Sequence, residues 1–261
     1  MSKVCQLFSG SKGNCIFISC GNTKILVDAG VTAKRIENAL SNIGEDASQL
    51  DGIFVTHEHS DHIKGIKVLA SRYSIPVFAS SKVIDRIEQK NSFGGKVTLE
   101  PMQKMEFEGA EIDTFKLSHD SADCIGYKII MPDKRKIAVC TDTGYVTDDS
   151  HDKLLGCDLV CLESNHEVTM VENGPYPYEL KKRVLSKFGH LSNEACSKFA
   201  LELANSGTTR FVLSHLSETN NYPSVARQAT YQMLTQNGFE ENKDFRLYVA
   251  STENHERPII L

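Results

Sequence analysis

The chain contains no tryptophan among its 261 residues, and aromatic residues of all kinds make up only 8%. No ladder of base-stacking rings is visible, so any readout of nucleic-acid sequence is expected to be weak. No apolar stretch approaches the roughly 18 residues that span a bilayer. The opening Met1-Ser2-Lys3-Val4-Cys5-Gln6 lacks the apolar core of a secretory signal. These absences point to a cytoplasmic protein with no membrane partner. Basic residues are outnumbered: 29 Lys and Arg stand against 34 Asp and Glu, a formal charge of −5. That excludes a globally basic nucleic-acid binder and leaves room for a local basic groove. The eight cysteines form no CxxC pair and sit mostly in apolar runs. Reduced, buried thiols are the expectation. Low-complexity tracts, linkers and internal repeats are absent as well. What remains is a globular composition, 40% hydrophobic and 24% charged, long enough for a sizeable core. No break in composition marks a boundary, so residues 1–261 read as one domain.

Short apolar runs alternate with helical stretches. Strands are predicted at residues 4–8, 15–19, 24–28, 52–56, 76–79, 97–99, 110–117, 125–131, 136–141, 159–163, 210–214 and 245–249. Helices are predicted at 32–43, with Thr32 as N-cap, and at 63–73, 80–90, 178–187, 193–206 and 224–237. Strands cluster early and then mix with helices in both halves. This order suits layered sheets covered by helices better than a doubly wound sheet.

The chemistry concentrates in Thr56-His57-Glu58-His59-Ser60-Asp61-His62. At this chain's composition an HxHxDH pattern is expected by chance about 0.001 times. His57 and His59 leave a strand with period-two alternation, so their side chains share a direction. Asp61 and His62 fall at the turn into a helix and face a second point nearby. Imidazole and carboxylate together suit Zn, Mn or Fe. Four such groups in six residues begin two adjacent metal half-sites. The rest must come from elsewhere, and His119, Asp142 and His215 each stand at the tip of an apolar run, where folds present functional residues.

In that order, Asp28, His57-x-His59-x-Asp61-His62, His119, Asp142 and His215 resemble the five motifs of the metallo-β-lactamase superfamily. The resemblance implies an α+β fold, a four-layer αβ/βα sandwich with a dinuclear metal site at the sheet edge. It implies that His57, His59 and His119 hold one divalent ion. Asp61, His62 and His215 hold a second, and Asp142 bridges them. It also implies that Asp28 orients a ligating histidine; a turn aspartate capping the helix at Thr32 is the alternative. Asp142 stands where secreted β-lactamases commonly use Cys. The interval from Asp142 to His215 is too short for the cap domain of β-CASP nucleases. Leu162-Glu163-Ser164-Asn165-His166-Glu167 and Gly189-His190-Leu191-Ser192-Asn193-Glu194-Ala195 resemble paired motifs of RNase Z-like phosphodiesterases. The HEAT sequence and the Gly/Pro-rich arm of that group are missing. Ser9-Gly10-Ser11-Lys12-Gly13-Asn14 resembles the opening of the YycJ (WalJ) family, small uncapped proteins regarded as DNA exonucleases or metallohydrolases.

A phosphodiesterase mechanism fits these residues. Two metals sharing a water lower its pKa toward neutrality and supply a hydroxide nucleophile. Asp61 orients that nucleophile. His190 is the candidate acid for the leaving alkoxide, held by Glu163. His166 is placed in the same cleft or structurally, with equal weight. The loop carrying Ser11, Lys12, Gly13 and Asn14 offers backbone N–H groups to a phosphate, or is a plain hairpin turn. Lys181 and Lys182 offer a basic patch for a nucleic-acid backbone, or a solvated face. The leading function is a nuclease with two divalent ions, Zn, Mn or Fe. A hydrolase of small thioesters or lactones is the first alternative, and an iron redox or oxygen-handling protein the second.

Overall fold

The computed structural model describes residues 1–90 and 94–261. Its strands form two seven-stranded sheets. The first contains β1 (Ser2–Phe8), β2 (Cys15–Cys20), β3 (Thr23–Val27), β4 (Gly52–Phe54), β5 (Val77–Ala79) and β6 (Lys96–Thr98). The second contains β7 (Lys104–Phe107), β8 (Ala110–Lys116), β9 (Ile125–Ile130), β10 (Lys136–Cys140), β11 (Leu159–Glu163), β12 (Arg210–Ser214) and β13 (Arg246–Val249). The last strand, β14 (Ile259–Ile260), returns to pair antiparallel with β1. Within each sheet, antiparallel hairpins give way to parallel strands, β3 to β6 in the first and β10 to β13 in the second. Parallel strands end on a common edge, and ligands bind outside the carboxyl ends of such strands.

Three apolar layers show how the sheets stack. Helices α1 (Ala33–Asn42), α2 (Ser60–Ile63), α3 (Ile66–Tyr73) and α4 (Ser81–Lys90) lie in the first half. Ile36 and Leu40 of α1, Leu69 of α3 and Val83 of α4 pack with Leu7, Phe17, Leu26 and Ile53 on one face of the first sheet. The opposite face, with Ile18, Ile25, Val27 and Phe54, meets Ile112, Tyr127, Val139 and Cys161 of the second sheet. The second half supplies α5 (Asp148–Leu154), α6 (Val168–Asn173), α7 (Tyr178–Val184), α8 (Asn193–Asn205) and α9 (Pro223–Gln236). Leu154, Phe199, Leu203 and Leu234 cover the outer face of the second sheet. The order is helix, sheet, sheet, helix, the αβ/βα sandwich. The eight cysteines are free and buried within it.

The predicted strands and helices recur within a few residues. The differences have local causes. The helix predicted at 63–73 starts at Ile66, after a separate turn of helix at Ser60–Ile63, because the N–H of Gly65 bonds Ala29 O instead of continuing a helical ladder. Thr32 occupies the N-cap position of α1 without making a capping bond. The unforeseen β7 has only two apolar residues and a half-exposed pattern. The unforeseen α5 is capped by Thr147, whose side chain accepts from Ser150 N. Between the sheets, the Phe54 ring stacks on Phe78 at 4.5 Å and meets the edge of Tyr127 at 5.8 Å. Tyr127 Oη donates to Val55 O at 2.6 Å, tying the second sheet to the chain just before the histidine motif.

Phe54→Ala would leave a cavity at this junction. It is expected to cost about 3–5 kcal/mol. Urea unfolding followed by circular dichroism checks this, and a loss below about 1 kcal/mol would contradict the central place given to Phe54.

Candidate metal centre

Six strand ends deliver the candidate residues to one edge. Asp28 follows β3, His57 follows β4 after Val55 and Thr56, and His119 follows β8. Asp142 follows β10, Glu163 ends β11, and His215 follows β12. His59 is the N-cap of α2, whose single turn carries Asp61 and His62. Asp28, Asp142 and His215 all have left-handed backbone, with φ of 61°, 63° and 57°. Such a conformation costs a non-glycine residue about 1 kcal/mol or more, so the surroundings hold these three in place. The opening loop wedges behind the motif. Asn14 N donates to Asp61 O, and Gly30 N to Asn14 O, both at 2.8 Å. A Cβ on Gly30 would stand 1.6 Å from Asp61 O, so only glycine permits this approach.

Each of four histidines has its Nδ1 engaged. His62 Nδ1 lies 2.7 Å from Asp28 Oδ2. Asp28 also accepts from Thr56 N at 2.8 Å, and Thr56 Oγ1 is 3.0 Å from His57 Nδ1. His119 Nδ1 lies 3.1 Å from Gly189 O, and His215 Nδ1 2.9 Å from Glu163 Oε1. A carboxylate or carbonyl can only accept, so Nδ1 of His62, His119 and His215 carries the proton. Nε2 is thereby left for another partner, the arrangement that orients metal-ligating histidines. The same Glu163 oxygen receives His190 Nδ1 at 2.8 Å, while its other oxygen accepts from Thr143 N at 2.8 Å.

Asp142 sits between these rings. Its Oδ2 is 3.4 Å from His62 Nε2, and its Oδ1 is 3.4 Å from His215 Nδ1 and 3.9 Å from His119 Nε2. Burial pushes its carboxyl upward, but His215, His62, His57 and His119 outweigh burial and hold it well below the usual range. Glu163 is likewise buried, yet His190 and His215 hold it down to about 2. Burial lowers His62, and Asp28 and Asp142 reverse this, raising it to about 10. Asp142 and Glu163 raise His215 to about 9 against burial. Burial and neighbouring imidazoles push His57 far down, and burial chiefly lowers His119.

Divalent ions fit this donor set. His57 Nε2, Asp142 Oδ2 and His215 Nε2 are buried with no hydrogen-bond partner among the described residues. Leaving one such group unsatisfied costs about 1–3 kcal/mol, and here three gather at one place. Donor atoms of His57, His59 and His119 lie within 4.8 Å of one another, as do those of Asp61, His62 and His215. Asp142 groups with His57 and His62, and also with Glu163, His190 and His215. Imidazole and carboxylate ligands of this kind suit Zn, Mn or Fe.

Other sequence candidates fall differently. Asp28 is spent on His62 and Thr56, not on capping α1. In the Ser11–Asn14 loop, Gly13 N bonds Gly10 O, and Asn14 N bonds Asp61 O. The Gly10 N–H is taken by Asn14 Oδ1. These N–H groups are therefore used within the protein, and Lys12 is paired with Glu218 at 2.5 Å. Ser11 alone of that loop lines a cavity of about 150 Å³ beside His190 and His215. Lys181 and Lys182 line a different cavity, with Tyr178 and Leu185, on the far side of α7. The helical turn instead directs Arg183 to the centre, where it pairs with Asp120, the neighbour of His119. His166 is buried and lines neither cavity. Its carbonyl accepts from Asn193 N at the start of α8, and burial lowers its ring to about 4. Thr56 and Arg183 carry little signal in the sequence, because a threonine before the motif and one cation in a charged run look ordinary.

Two outcomes test the centre. Asp28→Ala removes the partner of His62 Nδ1, and divalent-metal affinity is expected to fall about 10–100-fold. Chelator competition measures it, and unchanged affinity would contradict the assignment. Acidic neighbours raise His62 to about 10 and His215 to about 9, and each must be neutral to bind a metal. Loading the chelator-stripped protein at pH 7 should therefore release protons. Calorimetry in buffers of different ionisation enthalpy counts them, and zero release would contradict the charge state described.

Comparison with known proteins identifies the family. A sequence model of the family described as "Beta-lactamase superfamily domain" matches residues 23–216. Exodeoxyribonuclease YycJ of Bacillus anthracis is 36% identical over 245 residues, 93% of this chain and 92% of that protein. Exodeoxyribonuclease WalJ of Streptococcus pneumoniae is 34% identical over 252 residues, 95% and 93% of the two chains. The metallo-β-lactamase fold protein YhfI from Bacillus subtilis shares the fold at a TM-score of 0.74 and 17% identity, over 97% of this chain and 98% of that one. The chain belongs to the metallo-β-lactamase superfamily and, within it, to the family of the exodeoxyribonucleases YycJ and WalJ.

Proposed function

We propose that this protein is a metal-dependent nuclease that hydrolyses DNA phosphodiesters from an end. The observation that carries this reading is the convergence of three unpartnered buried atoms, on His57, Asp142 and His215, beside the Glu163–His190 pair. His57, His59 and His119 would hold one divalent ion, and Asp61, His62 and His215 the other, with Asp142 between them. Such ions supply Lewis-acid neutralisation of phosphate charge and lower the pKa of water. The kinship with two exodeoxyribonucleases supports DNA as substrate. The openings beside the centre support it too. Lys82, Lys116, Arg183 and His190 stand in their walls beside Tyr145, Phe188, Leu180 and Val184, and these cations suit a phosphate backbone better than a small acyl group.

The protein's own residues divide the remaining work. Arg183, at the rim, offers a guanidinium to a non-bridging phosphate oxygen. Asp61, partly exposed, orients the attacking water. His190 donates Nδ1–H to Glu163, so its Nε2 is the atom left to give a proton to the leaving oxygen. Glu163 is a positioning residue: one of its oxygens fixes both His190 and His215.

The test is cleavage of end-labelled single- and double-stranded DNA and RNA with Mn²⁺, Zn²⁺ or Fe²⁺, run beside Asp61→Ala. Metal-dependent cleavage lost in that variant supports the reading. No cleavage by protein shown to carry two metals would sink it. His190→Ala should lower kcat on DNA about 10²–10⁴-fold. On bis(p-nitrophenyl) phosphate, whose leaving group needs no proton, the loss should be far smaller. Equal losses on both substrates would remove His190 from the acid role.

A further inference from the structure

A recess of about 460 Å³ opens beside His119, distinct from the cavity lined by Arg183 and His190. Its wall includes Lys82, Lys116, Ser121, Tyr145 and Phe188. That volume lies within the roughly 300–1,000 Å³ typical of ligand sites. Tyr145 is 45% exposed and Phe188 60% exposed. Neither ring packs against another ring among the described residues. Two exposed rings on the wall of one cleft offer flat apolar surface on which a planar group can stack.

The two rings stand on loops locked to each other and to the centre. Gly144 N donates to Ser118 O at 2.9 Å, and Ser118 Oγ to Lys187 O at 2.8 Å. A Cβ on Gly144 would stand 2.3 Å from Lys187 O, so the Tyr145 loop lies directly on the Phe188 loop. The residue after Phe188 is Gly189, whose carbonyl holds His119 Nδ1. The aromatic platform and the metal-ligand candidate are therefore one rigid unit. Lys82 and Lys116 are exposed and form no ion pair among the described residues. Ser121 Oγ is buried in the same wall without a hydrogen-bond partner among the described residues.

We propose that this recess seats one unpaired nucleobase of the strand being cut, stacked on Tyr145 and Phe188, with Lys82 and Lys116 on the adjoining backbone and Ser121 Oγ bonding the base or sugar. The proposal rests on the nuclease reading for the identity of its occupant. Stacking uses the face of the base, which every nucleobase has, so the site tolerates any sequence. A base at a blunt end is still paired and stacked on its inner neighbour, so only a base freed from both can enter the recess and meet the two rings. The recess therefore favours a frayed or single-stranded end over a blunt one.

The experiment is binding of an oligodeoxynucleotide carrying 2-aminopurine at its ends and phosphorothioate linkages against cleavage, with the protein as purified. The wild type should quench the 2-aminopurine. Tyr145→Ala and Phe188→Ala should each weaken binding about tenfold, with circular dichroism and metal content unchanged. Phe188→Trp should restore binding. In a chain with no other tryptophan, its own emission should be quenched by single-stranded DNA more than by a blunt duplex. Wild-type binding by both alanine variants, or tryptophan emission indifferent to DNA, overturns the proposal. Hydrolysis of bis(p-nitrophenyl) phosphate by the same wild-type preparation separates the two readings. Its absence from protein shown to carry two metals, with ring-dependent DNA binding intact, refutes the hydrolase and supports the subsite. Its presence, with ring-independent binding, refutes the subsite.

Discussion

Asp142 is a carboxylate buried where four imidazoles meet, and the architecture around it answers to that one charge. An isolated ion in such a place costs several kcal/mol in lost hydration. His62, His215, His57 and His119 offset that cost by charge, and one Asp142 oxygen still has no hydrogen-bond partner among the described residues. The histidines must in turn be held so that they face inward. Asp28, Thr56, Gly189 and Glu163 do this from behind, each at a different ring's Nδ1. The result is a set of nitrogens and oxygens aimed at a common volume, with protons that a divalent cation would displace.

The sandwich makes this possible because both sheets end at the same edge. Strands β3 and β4 from the first sheet and β8, β10, β11 and β12 from the second all present their carboxyl ends there. Between them the aromatic contact of Phe54, Phe78 and Tyr127 fixes how the sheets sit, and the Tyr127 hydroxyl reaches the backbone two residues before His57. The left-handed backbone of Asp28, Asp142 and His215 turns each chain abruptly out of its strand, so that the side chain stays at the edge. Local strain at the site is thus balanced by cooperative packing of the layers behind it.

Much of the site is legible because metal chemistry needs particular residue types. HxHxDH is improbable by chance, and His119, Asp142 and His215 stand out as polar residues at the ends of apolar runs. Glu163 and His190 are legible as a pair only through resemblance, since nothing in their spacing brings them together. Lys181 and Lys182 show the limit of reading charge along the chain: the run is visible, but the helical phase that turns Arg183 inward and both lysines away is set by packing. The Ser11–Asn14 loop shows a second limit. A glycine-rich turn looks the same whether its N–H groups face a ligand or the protein, and here those of Gly10, Gly13 and Asn14 are taken within the protein.

By itself, then, the sequence determined the layered class of fold, the order of its main elements and the candidate ligand residues, since apolar periodicity and ligand chemistry are local properties. Tertiary structure decided which nitrogen of His57, His119 and His215 is held from behind, which cation faces the centre, and that Tyr145 and Phe188 share one recess. Those are relations between segments far apart in the chain, fixed only when two sheets close on a common core.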